Sequence, residues 1–506
     1  MAEEKNRGLT RREFIRIVGA GGAGLVVGGV AGSRLFPQKA KAGVPSKWDQ
    51  EAEVVVIGSG FAGLAAAIEA RDAGADVVIL EKMPHPGGNS AINGGQYAAW
   101  TSRIRKKLNL PEDSPEIMLQ DMMEAGANLN WKELAQKVAE ESADGIEWLI
   151  DMGVQFMDTV IQAGGHSRPR THQTVNMSGG DIVKAQLNAV KDRGIPLLTE
   201  HKVVQIFRES PNEGRVLGVE VDHKGEKIFL KAKKGIVLAA GGFSRNVDLR
   251  MKYVPFLTSE IPSTNHPGAT GEVMLLAMEI GASTTQLDWI QLYPFADPKT
   301  GVLDKVAVVP FTAPAYCIYV DKNGKRFVNE LANRKVCADA QIFGLGEKPS
   351  WTVFDNSSIE KFTSRKIVDK GVADGRVLKA ETLEELAQKA GFDPAGIKET
   401  VERYNRMVEK GVDEDFGKPS MKAKIQEPPF YAIPQWPSVH HTMGGLQITK
   451  EAQVLDLQGK VIPGLYAAGE ITGGVHGAVR LGSVAIPDCI VFGRTAGRNV
   501  VEAESL

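Results

Sequence analysis

The chain has 506 residues, 43% hydrophobic and 24% charged, the balance of a water-soluble globular protein too long for one ordinary core. A formal charge of -2, with acids and bases mixed along the chain, excludes the concentrated basic face that a nucleic-acid backbone demands. Cys317, Cys337 and Cys489 stand far apart and in no C-x-x-C or C-x-x-C-H pattern, which excludes a c-type haem and argues against an iron–sulfur cluster.

Thr10-Arg11-Arg12-Glu13-Phe14-Ile15-Arg16, an apolar glycine-rich run from Ile17 to Gly32, and Ala40-Lys41-Ala42 before Gly43 read as a twin-arginine export signal, residues 1–42, cleaved after Ala42. The run falls short of the ~20 apolar residues that a membrane span needs. The expectation is therefore a periplasmic protein with no stable membrane insertion. Twin-arginine signals resemble those of proteins that fold around a cofactor before export.

Val54 to Ile57 is a buried-strand run, followed by Gly58-Ser59-Gly60-Phe61-Ala62-Gly63, a small-residue helix through Ala70, and a second strand from Val77 ending on Glu81. Gly58, Gly60 and Gly63 permit a tight turn, close approach of a pyrophosphate and close helix packing, while Phe61 and Ala62 open a helix whose amides face an anion. Glu81 sits where a carboxylate accepts hydrogen bonds from a ribose. The alternative is a glycine turn inside a plain parallel sheet.

Val216–Val221 and Lys227–Lys231 flank a predicted hairpin turn that contains His223, expected to be solvated. Gly235 to Leu238 then enters a glycine turn at Ala240, Gly241 and Gly242. Gly464 to Glu470 repeats the strand–turn–acid order at Gly469 and Glu470. The nucleotide fold is thus α/β, Rossmann-like and discontinuous: 43–288 and 443–506 form it, and 289–442, with charged amphipathic helices in Thr382–Lys410, is an inserted α+β capping domain.

Four stretches carry a family resemblance: Gly58 to Gly95 with Gly87-Gly88-Asn89-Ser90; Thr264 to Gly271; Arg326-Phe327-Val328-Asn329-Glu330; and Val439-His440-His441-Thr442-Met443-Gly444-Gly445, which continues into Gly473 to Gly482. With them the chain resembles the flavoprotein of the fumarate reductase and flavocytochrome c group over nearly everything after the signal. The resemblance implies FAD in the first domain under a cap. Its contacts would be the residues above with Lys82, Gly88, Asn89, Ser90, Gly94, Gly95 and the start of the last helix at Ser483, Val484 and Ala485. The loop Gly88–Gly95 has no histidine, so the flavin is expected to be non-covalent, with His85 the only one nearby.

The resemblance also implies reduction of a C=C bond by hydride from flavin N5 and a proton from the protein. His441 and Arg480 match the pair that holds the substrate carboxylate, and Arg334 matches the proton donor. From spacing alone, Arg334 reads instead as an i,i+4 salt bridge with Glu330. The family's proton relay falls on Pro310 and Ala313, neither able to carry a proton, which leaves Asp297, Glu330 or a water chain. The histidine for a second carboxylate falls on Tyr293, with Phe295, Phe311 and Tyr316 nearby. The expected substrate is thus an α,β-unsaturated monocarboxylate with an apolar or aromatic tail, of the urocanate, methacrylate or cinnamate kind, and Asn329 to Lys335 is closer to the urocanate reductases. Fumarate, a desaturating dehydrogenase and a non-catalytic flavin electron carrier remain the alternatives. Having no haem motif, the chain would take electrons from a separate c-type cytochrome. His166 and His172 lie in a polar loop that could face substrate, His476 is expected beside the flavin, and no histidine has metal-ligand spacing.

Overall fold

A central parallel strand must be covered on both faces, and β1 (Gln50–Ile57) is: Val54, Val55 and Val56 have no exposed surface. Helix α1 (Phe61–Asp72) follows, its Ala65, Ala66 and Ala67 small enough to lie close under the sheet. Strand β2 (Val77–Leu80) pairs parallel to β1 from Val54 opposite Val77, and β3 (Glu226–Leu238) pairs parallel on the other side. This is a computed structural model, and it describes residues 43–505 apart from Pro211. The twin-arginine segment, 1–42, lies outside the described residues. Contacts group the chain from Lys47 onward into one compact unit.

Further along come β4 (Ile290–Ala296), α2 (Arg334–Asp339), β5 (Phe430–Thr442), β6 (Val461–Ala467) and α3 (Ala485–Glu502). The first sheet runs Gln453–Leu455, β6, β3, β1, β2, Leu197–Leu198, and an antiparallel pair, His201–Ser210 with Glu213–His223, extends from β3. Its closing member, β6, joins β3 some 400 residues after β1, as the strand–turn–acid repeat predicts.

A second sheet, β4–β5 with Ser350–Asp355 and Ile318–Val320, carries its own apolar core of Tyr293, Phe295, Tyr319, Phe354 and Tyr431. The first core stops at Leu287 and resumes at Leu446, and a small cluster of Leu257, Ile261, Leu292, Ala338 and Val439 packs the preceding segment against β4 and β5. The predicted amphipathic helices are Leu383–Ala390 and Pro394–Lys410. Thr382 and Asp393 cap their first amides, and Gly391 and Gly411 end them in the left-handed conformation.

The hairpin turn is present at Lys224–Gly225, both with positive φ. His223, however, is half-buried and stacks on His201 at 4.2 Å between centroids, rather than standing free in water. A three-stranded sheet of Gln96–Ala98, Thr171–Thr174 and Phe156–Ile161 was not legible, because its short segments alternate in no regular period. It buries His172, whose Nε2 lies 2.7 Å from Ser102 Oγ and whose Nδ1 lies 3.0 Å from the Arg170 carbonyl. His166 is equally enclosed, between the Gly482 carbonyl at 2.7 Å and Arg170 at 3.1 Å. His172 is therefore a packing residue of this layer, while His166 is a buried residue of the loop between Ile161 and Thr171 that packs on Gly482.

Burial drives both imidazoles down to about 4. The unfolded chain takes up protons near 6.5 that the folded chain refuses, so stability is complete above that pH and is lost as the pH falls toward 4, by up to about 3 kcal/mol per histidine. Thermal melts at pH 7 and pH 5 should differ by several degrees; equal midpoints would mean that these rings are solvated.

Candidate active site

Gly58, Gly60, Phe61, Ala62, Glu81, Lys82, Gly88, Asn89, Ser90, Ala240, Gly241, Gly469 and Glu470 line one groove with an empty volume of ≈ 990 Å³. The β1–α1 turn shapes it. Gly58 has φ 106 and its Cα hydrogens lie against the Ala239 carbonyl, while Gly63 sits so close to the Gly58 carbonyl that no side chain fits at either place. The Phe61 amide, at the positive end of α1, donates to Ser90 Oγ at 2.9 Å and so ties the turn to the Gly87–Gly88 loop. Glu81 accepts from the Ser59 amide (3.2 Å) and hydroxyl (2.5 Å) and from the Met83 amide (2.8 Å). A carboxylate offers about four acceptor sites, which leaves one for a ribose hydroxyl.

The remaining expected contacts serve the groove without lining it. Gly94 and Gly95 are gripped from behind, the Gly94 carbonyl accepting from Gln173 at 2.6 Å. A Cβ on Gly242 would overlap Thr442 and Glu470, so Gly242 is where the first sheet touches β5. Ser483 is held at φ 60 with its hydroxyl 2.7 Å from that of Thr171, and Val484 and Ala485 open α3. His201, Lys202, His266, Thr270 and Glu272 also line the groove, and the sequence did not single them out as contacts. Lys82 and Lys202 both pair with Glu272, at 2.8 and 2.7 Å; burial raises that carboxyl, but the two hydrogen bonds override it and hold it at about 2. A turn with no room for a side chain, a helix N-terminus and an acid at the next strand end fit a dinucleotide such as FAD. His85 is exposed.

Glu470 joins the groove to a second, buried cluster. Its Oε1 accepts from the Thr442 amide at 3.0 Å and lies 3.8 Å from His441 Nδ1, and burial raises its pKa. Arg480, in the loop after β6, donates to Gln291 Oε1 and to the Leu481 carbonyl, each at 3.1 Å. No carboxylate forms an ion pair with it among the described residues. Burial pulls its pKa down to about 9, with the Arg334 charge adding to the effect. Burial, then the Arg480 charge, keeps His441 neutral.

His440, assigned no role from sequence, joins them. β5 has one residue more than β4 between the pairs Gln291–His441 and Leu292–Val439, and that extra residue is His440. A bulge breaks the in–out alternation of a strand, so consecutive histidines both come under the influence of Arg334 and Arg480. Thr264 Oγ1 fixes the His440 ring at 2.8 Å from Nδ1. Three polar atoms of this cluster, Arg334 Nη1, Arg480 Nε and His441 Nε2, are covered by protein and have no hydrogen-bond partner. Such atoms each cost about 1–3 kcal/mol unless a ligand satisfies them.

Arg334 opens α2, and Asn333, extended at ψ 163, caps it through the Val336 amide. Glu330 precedes that break, so the i,i+4 pair never forms. Glu330 instead binds Arg326 at 2.8 Å and Lys418 at 3.3 Å, and Arg326 also holds Asp413. Asp297 pairs with Arg376 at 3.1 Å. Neither acid reaches Arg334, which corrects both as relay candidates. Around the guanidinium stand rings: Phe311 at 4.7 Å and Tyr293 at 5.2 Å. The Tyr293 hydroxyl donates to the Ala307 carbonyl at 3.0 Å, so Tyr293 offers the cluster its ring and not its proton. His476 is on the far side of His441, paired with Asp488 at 3.1 Å.

A dinucleotide groove that runs through one carboxylate into unpaired arginines and neutral histidines defines a flavin-dependent oxidoreductase for an anionic substrate. Residues 53–486 match the model of the FAD binding domain. The acrylate reductase flavoprotein subunit of Shewanella woodyi is 37% identical over 98% of this chain and 99% of its own. A fumarate reductase (cytochrome) of Shewanella frigidimarina is 39% identical over 89% of this chain and 77% of its own. The open conformation of a flavocytochrome c3 fumarate reductase superposes with a TM-score of 0.77 at 33% identity, covering 99% of this chain and 82% of that one. The chain belongs to the fumarate reductase family of FAD-dependent flavoproteins, which act on C=C bonds. Among the described residues no helix is long and apolar enough to cross a membrane.

Proposed function

We propose that this protein is a periplasmic reductase of short α,β-unsaturated monocarboxylates of acrylate or methacrylate size, exported by its twin-arginine signal and supplied with electrons by a separate c-type cytochrome. The observation that carries the reading is the make-up of the buried cluster: Arg480 and His441 offer unpartnered nitrogens to one carboxylate, while the surroundings of Arg334 are the rings of Tyr293 and Phe311 and not a second polar clamp. One carboxylate satisfies the orphaned Arg480 Nε and His441 Nε2. A second, placed against the rings, would remain unpaired at a cost of several kcal/mol. The covered orphan atoms favour a small tail over an aromatic one, and the end-to-end likeness to an acrylate reductase subunit supports the same choice. The domain limits 289 and 442 follow the division of the apolar cores.

The groove of Gly58, Gly60, Glu81, Gly241 and Glu470 would hold FAD, non-covalently since loop Gly88–Gly95 offers no histidine, and bound there FAD would supply a hydride equivalent for the β-carbon. Arg480, with His440 and His441 as neutral donors, holds the carboxylate and steadies the negative charge that develops on it. Arg334 gives its proton to the α-carbon, so that two electrons and two protons convert C=C to CH–CH. Burial lowers the Arg334 pKa, which makes the transfer easier.

Oxidation of dithionite-reduced viologen should be fast with acrylate and methacrylate, slower with urocanate and cinnamate, and at least tenfold less efficient with fumarate. A preference for fumarate would overturn the monocarboxylate assignment.

A further inference from the structure

We propose that Phe311 and Tyr293 form an aromatic clamp that orients the Arg334 guanidinium in place of a carboxylate partner. The inference rests on the reading of Arg334 as the proton donor.

A buried guanidinium needs something to fix its direction. A carboxylate does this, but it also holds the proton, since an opposite charge favours the charged form. Among the described residues no carboxylate pairs with Arg334. Instead its guanidinium carbon lies 4.7 Å from the Phe311 centroid and 5.2 Å from that of Tyr293, inside the ≈ 6 Å within which a ring face attracts a cation. A ring face has no lone pair to accept a proton. The pair of rings therefore sets the orientation while holding the proton less firmly than a carboxylate would, and burial lowers the Arg334 pKa.

The clamp is anchored on both sides. Phe311 stands on the helix Lys305–Thr312, and two buried tyrosine hydroxyls bolt that helix down: Tyr293 donates to the Ala307 carbonyl at 3.0 Å and Tyr319 to the Pro310 carbonyl at 2.8 Å. Phe295 braces both tyrosines, with centroids 5.5 Å from Tyr293 and 5.3 Å from Tyr319. Phe311 thereby acts on the reaction through Arg334, as a positioning residue.

Phe311→Leu keeps the apolar volume and removes the ring face, whereas Phe311→Tyr keeps both. With acrylate and reduced viologen, Phe311→Leu should lower kcat at least tenfold with KM changed less than threefold, and should raise the solvent deuterium isotope effect on kcat. Phe311→Tyr should restore kcat to within threefold of the parent. FAD absorbance and melting temperature, measured on each variant, establish that the fold is intact. Wild-type kcat and isotope effect in Phe311→Leu overturn the clamp while leaving the proton donor in place. Undiminished turnover in Arg334→Ala overturns the reading beneath it.

Discussion

Arg334→Ala is expected to lower kcat by about 10³-fold or more, at the upper end of what a positioned general acid contributes, with FAD content unchanged. The two effects separate because Arg334 is not among the residues that line the dinucleotide groove, and its guanidinium lies against Tyr293 and Phe311. Dithionite should still bleach the variant, and acrylate should fail to restore its colour. Arg334→Lys should recover little, since a lysine has no planar face to lie between the rings. Turnover in Arg334→Ala within tenfold of the parent would place the proton donor elsewhere, with His440 the nearest group.

Arg480→Ala should act on binding. The variant loses a cation of the buried cluster whose Nε has no hydrogen-bond partner and whose other nitrogens are fixed by Gln291 and the Leu481 carbonyl. Loss of a buried, charge-assisted carboxylate contact costs about 3 kcal/mol, roughly a hundredfold in KM for acrylate. Part of the loss extends to kcat, because the carboxylate gains charge as the hydride arrives. Gln291→Ala, which frees the guanidinium to turn, should give a smaller rise in KM. A KM for Arg480→Ala within threefold of the parent would show that the two histidines alone hold the substrate.

The groove and the acid cluster differ in how far apart in the chain their parts lie. Gly58, Gly63 and Glu81 are within 30 positions and belong to one strand–turn–helix–strand unit, so local chemistry alone predicts their arrangement. Glu470 comes from the other end of the chain and was legible because the same strand–turn–acid pattern repeats there, whereas Arg480 was legible by family resemblance. Arg334 was legible only by family resemblance, and its spacing from Glu330 pointed to a salt bridge that the chain does not make. Tyr293 was placed by the same resemblance; its ring lies 5.2 Å from Arg334, and the direction of its hydroxyl, onto the Ala307 carbonyl, was beyond reach. His172 read as a loop residue because its short strand pairs on one side with Gln96–Ala98, some 75 positions away.

By itself the sequence determined a discontinuous dinucleotide fold with FAD as its ligand, because residue types at fixed short spacing carry it, whereas the carboxylate clamp of His441 and Arg480 rested on family resemblance. Tertiary structure decided which groups meet. An added residue in β5 turned His440 toward the arginines, and the buried set of Arg326, Asp413 and Lys418 took Glu330 away from Arg334. The physical reason is the same in both cases. A strand's face depends on the register of its partner, and a charge pairs with whatever counter-charge burial brings closest, neither of which is encoded within one segment.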